Sequence, residues 1–78
     1  MDIPKIKSIK VNSEDYNISV LFDNGVTKNI DFKDKIKEDF YCDLKNKLLF
    51  EQAKVDAGGY GISWNDDIDI SEYELWNM

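Results

Sequence analysis

The chain has 78 residues, 42% of them hydrophobic and 33% charged, which is room for one thin core and the balance of a soluble globular protein, and argues against a second domain, a disordered tail or a membrane protein. It contains no histidine, no arginine and a single cysteine, Cys42, which removes imidazole-based triads, guanidinium clamps, multi-cysteine zinc sites and intrachain disulfides from consideration. The net charge of −6 is unevenly placed: residues 1–37 hold seven lysines against six acids, and residues 38–78 hold three lysines against ten.

Met1-Asp2-Ile3-Pro4-Lys5 opens the chain with polar residues, and no apolar stretch approaches a signal-peptide core or the ~20 residues of a membrane span. A single cytoplasmic domain over 1–78, with no membrane association, is therefore expected. Ile6 to Val11 reads as an edge strand of irregular register, punctuated by lysines. Lys5, Lys7 and Lys10 are too few for a nucleic-acid footprint and fit a solvated strand edge. Tyr16 to Phe22 alternates strictly, with Tyr16, Ile18, Val20 and Phe22 on one face of a strand. Val26 to Phe32 repeats the pattern with Val26, Ile30 and Phe32, Lys28 being the exception.

The loop Asp23-Asn24-Gly25 decides how these two strands pair. A two-residue loop would set the apolar face of the first strand beside Thr27, Asn29 and Asp31, which wastes the core side. A three-residue loop sets Phe22 opposite Val26, Val20 opposite Lys28, Ile18 opposite Ile30 and Tyr16 opposite Phe32. A type I turn closed by a G1 bulge, with Gly25 left-handed, is therefore predicted.

Asp34 is placed to cap a helix with Ile36, Phe40 and Leu44 at every fourth position and Tyr41 widening the stripe. Asn46 then starts a second short helix through Leu48, Leu49, Phe50 and Ala53, or the two are one bent helix. Lys54-Val55-Asp56 and Gly61-Ile62-Ser63-Trp64 flank the turn Ala57-Gly58-Gly59-Tyr60 as a second hairpin. Ser71-Glu72-Tyr73-Glu74 has the capping-box spacing and opens a terminal helical turn with Leu75 and Trp76. The fold class is thus α+β: a small antiparallel sheet built from two hairpins, one or two short helices on one face, and a short C-terminal helical turn. Ile18, Val20, Phe22, Ile30, Phe32, Ile36, Phe40 and Leu44 form the predicted core.

Few residues carry chemistry. Gly58-Gly59-Tyr60-Gly61 lacks the lysine and hydroxyl of a phosphate loop and does not open a helix, so its glycines answer to a turn. Asn65-x-Asp67-x-Asp69 starts like a calcium loop but has Ile70 where glycine and Trp76 where glutamate belong. Cys42 has no histidine or arginine to stabilise a thiolate and reads as an inert, partly buried residue. From Asp56 to Met78 six acids face no lysine, and Tyr60, Trp64, Tyr73 and Trp76 lie among them. Rings set among carboxylates suit recognition of a basic protein.

Phe22-Asp23-Asn24-Gly25, Leu49-Phe50 with Val55, then Gly59, Ile62, Trp64 and the closing Asp69-Ile70-Ser71 with Leu75 resemble the small prokaryotic family known as domain of unknown function 2442. That resemblance implies a compact α+β domain, in some members joined to a helix-turn-helix and in others encoded beside small toxin-like proteins, with no established catalytic residues. No helix-turn-helix accompanies this domain in the 78 residues, so duplex DNA binding by the chain alone is not expected.

The expected function is a noncatalytic interaction module, adaptor or antitoxin-like, that holds a basic protein through Asp66, Asp67, Asp69, Glu72, Tyr73, Glu74 and Trp76, without a cofactor. Two alternatives stand beside it. One is an acidic mimic of nucleic acid that inhibits a DNA- or RNA-binding protein. The other is an enzyme whose Asp66, Asp67 and Asp69 bind a metal weakly.

Overall fold

The computed structural model describes residues 3–78; Met1 and Asp2 of the polar start lie outside the described residues. Strands β1 (Ile6–Asn12), β2 (Asn17–Phe22) and β3 (Thr27–Asp31) form one antiparallel sheet in the order β1-β2-β3. Strands β4 (Lys54–Val55), β5 (Gly61–Ser63) and β6 (Asp69–Ser71) form a second in the order β4-β5-β6. The chain passes between the sheets through a 3-10 turn at Lys35–Lys37, a 3-10 helix at Asp39–Lys45 and the short α1 (Lys47–Phe50), and closes with α2 (Glu72–Trp76). The architecture is α+β as expected, but the two hairpins lie in separate sheets instead of one, the first completed by the expected edge strand β1 and the second by β6.

The first hairpin has the expected register. Ile18 faces Ile30 and Val20 faces Lys28, and the Phe22 amide donates to the Val26 carbonyl at 2.8 Å. The Gly25 amide returns to the Phe22 carbonyl at 3.0 Å, and Gly25 has φ 89°, the left-handed residue that closes a G1 bulge. Ile18, Val20, Phe22, Ile30 and Phe32 are all buried on the inner face. In β1 the register shifts between Ile6 and Ser8. That bulge at Lys7 is why Ile6, Ile9 and Val11 follow no simple alternation in sequence yet all face the core side.

The segment after β3 departs from the expected α-helix. It is 3-10 in two pieces, and its turn of ~3 residues brings Tyr41 and Leu44 to the same side. Both are buried, whereas Phe40, predicted as core from a spacing of four, is 54% exposed. Asp34 itself has α-helical angles and makes no capping bond. Cys42, expected to be partly buried, is exposed on the outer side of the same helix. The break at Asn46 is real: its side chain accepts from the Leu48 and Leu49 amides and starts α1 as a separate helix, the role that asparagine fills at N-termini.

The second hairpin also forms, around a tight turn in which Gly58 and Gly59 have φ 78° and 75°. At Gly59 an added Cβ would lie 2.4 Å from the Ile6 carbonyl oxygen, so glycine lets this turn press onto β1. The acidic stretch after Trp64, for which no strand was expected, contains β6. The Asn65 side chain accepts from the Asp67 and Ile68 amides, both at 2.9 Å, an Asx turn that redirects the chain into that strand. Phe32, Phe50 and Trp64 meet where the two sheets and α1 join, with ring centroids 5.8–6.2 Å apart. The Trp64 indole N–H donates to the Phe50 carbonyl at 3.1 Å, so the largest buried ring leaves no unpaired donor.

Candidate functional site

Tyr41 is the hub of the acidic half of the surface. Its ring meets Phe40 edge-on at 4.7 Å between centroids, its hydroxyl donates to the Asp69 carbonyl at 3.3 Å, and the Lys35 ammonium lies 5.1 Å from its centroid. The same ammonium is paired with the carboxylates of Glu74 and, at 3.7 Å, Glu38. The 3-10 helix, β6 and α2 are thereby held as one surface. Burial pushes the Tyr41 phenol above its ordinary pKa, and the Glu74 carboxylate adds to the effect. The hydrogen bond that the Lys35 ammonium donates to Glu74 raises Lys35 above its ordinary pKa, against the desolvation that opposes it.

The residues singled out in sequence divide into two groups on this surface. Asp66, Asp67 and Asp69 are exposed on the β5–β6 loop and the start of β6, and none makes an ion pair among the described residues. Tyr73 is 63% exposed on α2. Glu72, by contrast, accepts from the Lys5 ammonium at 3.1 Å, while Glu74 is held by Lys35. Ser71 caps the Glu74 amide at 3.2 Å, but the Glu74 carboxylate does not return to the cap as a capping box would require. Trp76 is half-buried, its ring edge-on to Phe22 at 5.0 Å. Among the described residues, no group of three or more aspartates, glutamates or cysteines is disposed to hold a metal ion.

The other two aromatic residues of the C-terminal third differ from Tyr73. Trp64 belongs to the core, and Tyr60, 61% exposed, lies under the Lys5 ammonium at 4.6 Å. Phe40, predicted as core, joins the surface instead, together with Asp39 and Asp43, which pattern reading did not single out; all three are exposed on the 3-10 helix. A period of three counted from Tyr41 would have turned Phe40 outward between the two acids. A separate, wide hollow of about 530 Å³ lies against the outer face of the first sheet, lined among others by Ser13, Asn17, Ser19, Asn29 and Glu51. The Ser13 hydroxyl donates to the Glu51 carboxylate there at 2.5 Å, tying the β1–β2 loop to the end of α1.

The family model described as protein of unknown function DUF2442 matches residues 7–77, nearly the whole chain. The chain belongs to the DUF2442 family. No curated protein and no solved structure is significantly similar to it. The DUF2442 match spans both sheets, the 3-10 segment and α2, so the Tyr41 surface lies wholly inside the family domain. No helix among the described residues is long and apolar enough to cross a membrane.

Proposed function

We propose that this DUF2442 chain is a noncatalytic, cytoplasmic protein-interaction module, the adaptor or antitoxin-like half of a pair, whose acidic aromatic face holds a basic protein. One observation carries the reading. Phe40 and Tyr73, 54% and 63% exposed, stand on elements joined through Tyr41 and Lys35, and five exposed carboxylates on these elements and the β5–β6 loop (Asp39, Asp43, Asp66, Asp67 and Asp69) have no ion pair among the described residues. Carboxylates in water accelerate encounter with a lysine- or arginine-rich surface, and the two rings supply the apolar contact that slows release. Glu72, Glu74 and Trp76 support this face as groups that anchor α2 to Lys5, Lys35 and Phe22.

The test begins with capture from the native host using the intact chain as bait, followed by kinetics with the purified partner. Replacing the five aspartates with serine is expected to slow association and to flatten its salt dependence. Phe40→Ala with Tyr73→Ala is expected to speed dissociation. Equal rates for wild type and both variants, or a captured partner without a basic surface, would refute the reading. If the basic surface proves to be the partner's own nucleic-acid site, the chain is an acidic mimic of nucleic acid.

A further inference from the structure

The two sheets offer four outer edges, and they are not equally protected. The far side of β1 is bulged at Lys7 and lies against the glycine turn, where Gly59 approaches the Ile6 backbone. At the edge of β6 the Asp69 carbonyl accepts from the Tyr41 hydroxyl, and β4 is only two residues long. The exception is β3. The Phe22 amide donates to the Val26 carbonyl and the Phe32 amide donates to the Tyr16 carbonyl, each at 2.8 Å. The even residues of β3 therefore bond to β2, and by the alternation of an antiparallel ladder the N–H and C=O groups of Thr27, Asn29 and Asp31 point away from it. All three residues are exposed, and no backbone or side-chain group among the described residues bonds to those N–H and C=O groups.

Of the usual guards of such an edge the strand keeps only charge, Asp31 at its end and Lys28 on its inner face. β3 has no proline and no bulge. Its one lysine, Lys28, lies on the inner face and sends its ammonium to the carbonyls of Leu75, Trp76 and Met78 at the end of α2. An open edge of this kind is a template for another strand.

We propose that β3 pairs antiparallel with β3 of a second copy, across a two-fold axis at Asn29, to make a continuous six-stranded sheet. In this register the two Asn29 side chains face each other and can exchange amide hydrogen bonds. Thr27 of one copy faces Asp31 of the other, a hydroxyl opposite a carboxylate. On the inner side Lys28 faces Ile30, and Val26, 41% exposed in the single chain, faces Phe32. No like charges meet. Moving the axis by one residue to Lys28 would bring two ammonium groups together, which disfavours that register. The strand holds one lysine and one aspartate and is locally neutral, so charge complementarity selects no basic peptide here. A second copy suits it, and the pairing is independent of the acidic face.

The test is sedimentation of the full chain over a wide concentration series, with amide exchange on the same samples. The expected mass rises from that of one chain towards twofold, and protection rises at the Thr27, Asn29 and Asp31 amides while Lys28 and Ile30 stay as they were. Asn29→Pro removes an outward N–H without touching the β2 ladder, since proline is tolerated on an edge strand whose N–H faces solvent. Asn29→Lys sets two cations on the axis. Both variants are expected to keep the mass of one chain at every concentration, whereas Ser8→Lys, which adds the same charge on β1, dimerises like wild type. Should either Asn29 variant fail to fold, the wild-type exchange pattern decides. A wild-type chain that stays single at all concentrations overturns the proposal, and so does a dimer indifferent to both Asn29 changes or without protection at the three amides. A single chain whose β3 amides respond to an added lysine-rich extended peptide also overturns it and gives the edge to a heterologous strand.

Discussion

At Gly25 the backbone alone excludes side chains. An added Cβ would meet no heavy atom within 4 Å, yet φ is 89°. Gly25→Val is therefore expected to cost about 1–2 kcal/mol in urea unfolding. Gly25→Asn is expected to cost clearly less, because asparagine enters the left-handed region more readily. Equal losses for the two would mean that lost space, not backbone angle, sets the cost. Phe22 and Phe40 make the opposite pair. Phe22 is fully buried and contacts Trp76, so Phe22→Ala should remove about 3–5 kcal/mol, a large share of the ~4–12 kcal/mol that a domain of this size holds. Phe40→Ala should stay within about 0.5 kcal/mol, apart from its edge contact with Tyr41. Thermal melts of both variants check this ordering, and a Phe40→Ala loss as large as that of Phe22→Ala would return Phe40 to the core.

Among the elements, the 3-10 helix depends most on a single junction, the one at which Tyr41, Lys35 and Glu74 meet. Both Tyr41 and Lys35 have pKa values raised by folding. The folded state therefore holds their protons more tightly than the unfolded chain does. The stability they contribute is whole below the unfolded values of 10.0 for Tyr41 and 10.5 for Lys35, and is lost as pH rises through the higher folded values. Urea midpoints should thus be flat near neutrality on account of this junction and should fall above about pH 10. Tyr41→Phe should shallow that fall while leaving most of the Lys35 share, which rests chiefly on Glu74, and identical alkaline profiles for the two proteins would show that Tyr41 contributes nothing. How legible each element was in the sequence follows from its chemistry. The β2–β3 register could be worked out because period-two burial and a loop with one glycine admit a single solution. The helix could not, because Ile36, Phe40 and Leu44 also satisfy the α spacing and only tertiary contact with β6 chooses the tighter winding. Strand β6 has three residues, two of them exposed, and hides in an acidic stretch. Asp66, Asp67, Asp69 and Tyr73 were visible as candidates from composition, whereas Asp39, Phe40 and Asp43 join them only once the winding is known.

On the scale of the whole molecule, the charge asymmetry along the chain is partly spent inside it. Three lysines of the first 37 residues reach the C-terminal segment: Lys5 binds Glu72, Lys35 binds Glu74, and Lys28 binds the carbonyls that end α2, where a cation favours the helix dipole. Seven of the ten acids of residues 38–78 fall into two sets. Glu72 and Glu74 fasten α2, each through a partly exposed ion pair worth about 0.2–1 kcal/mol. Asp39, Asp43, Asp66, Asp67 and Asp69 fasten nothing, and in a chain of net charge −6 they repel one another and their neighbours. The two sets should part company when neutralised. Glu72→Gln with Glu74→Gln is expected to lower stability by about 0.4–2 kcal/mol, the sum of two such pairs, and to make it less sensitive to added salt, which screens these pairs in the wild type. The five-aspartate serine variant is expected to be at least as stable as wild type at low salt, with the difference shrinking as salt rises. Urea melts at low and high ionic strength check both. If the five-serine variant is instead destabilised more than the double glutamine variant, the exposed aspartates are structural, and the surface loses its claim to be a face kept free for a partner.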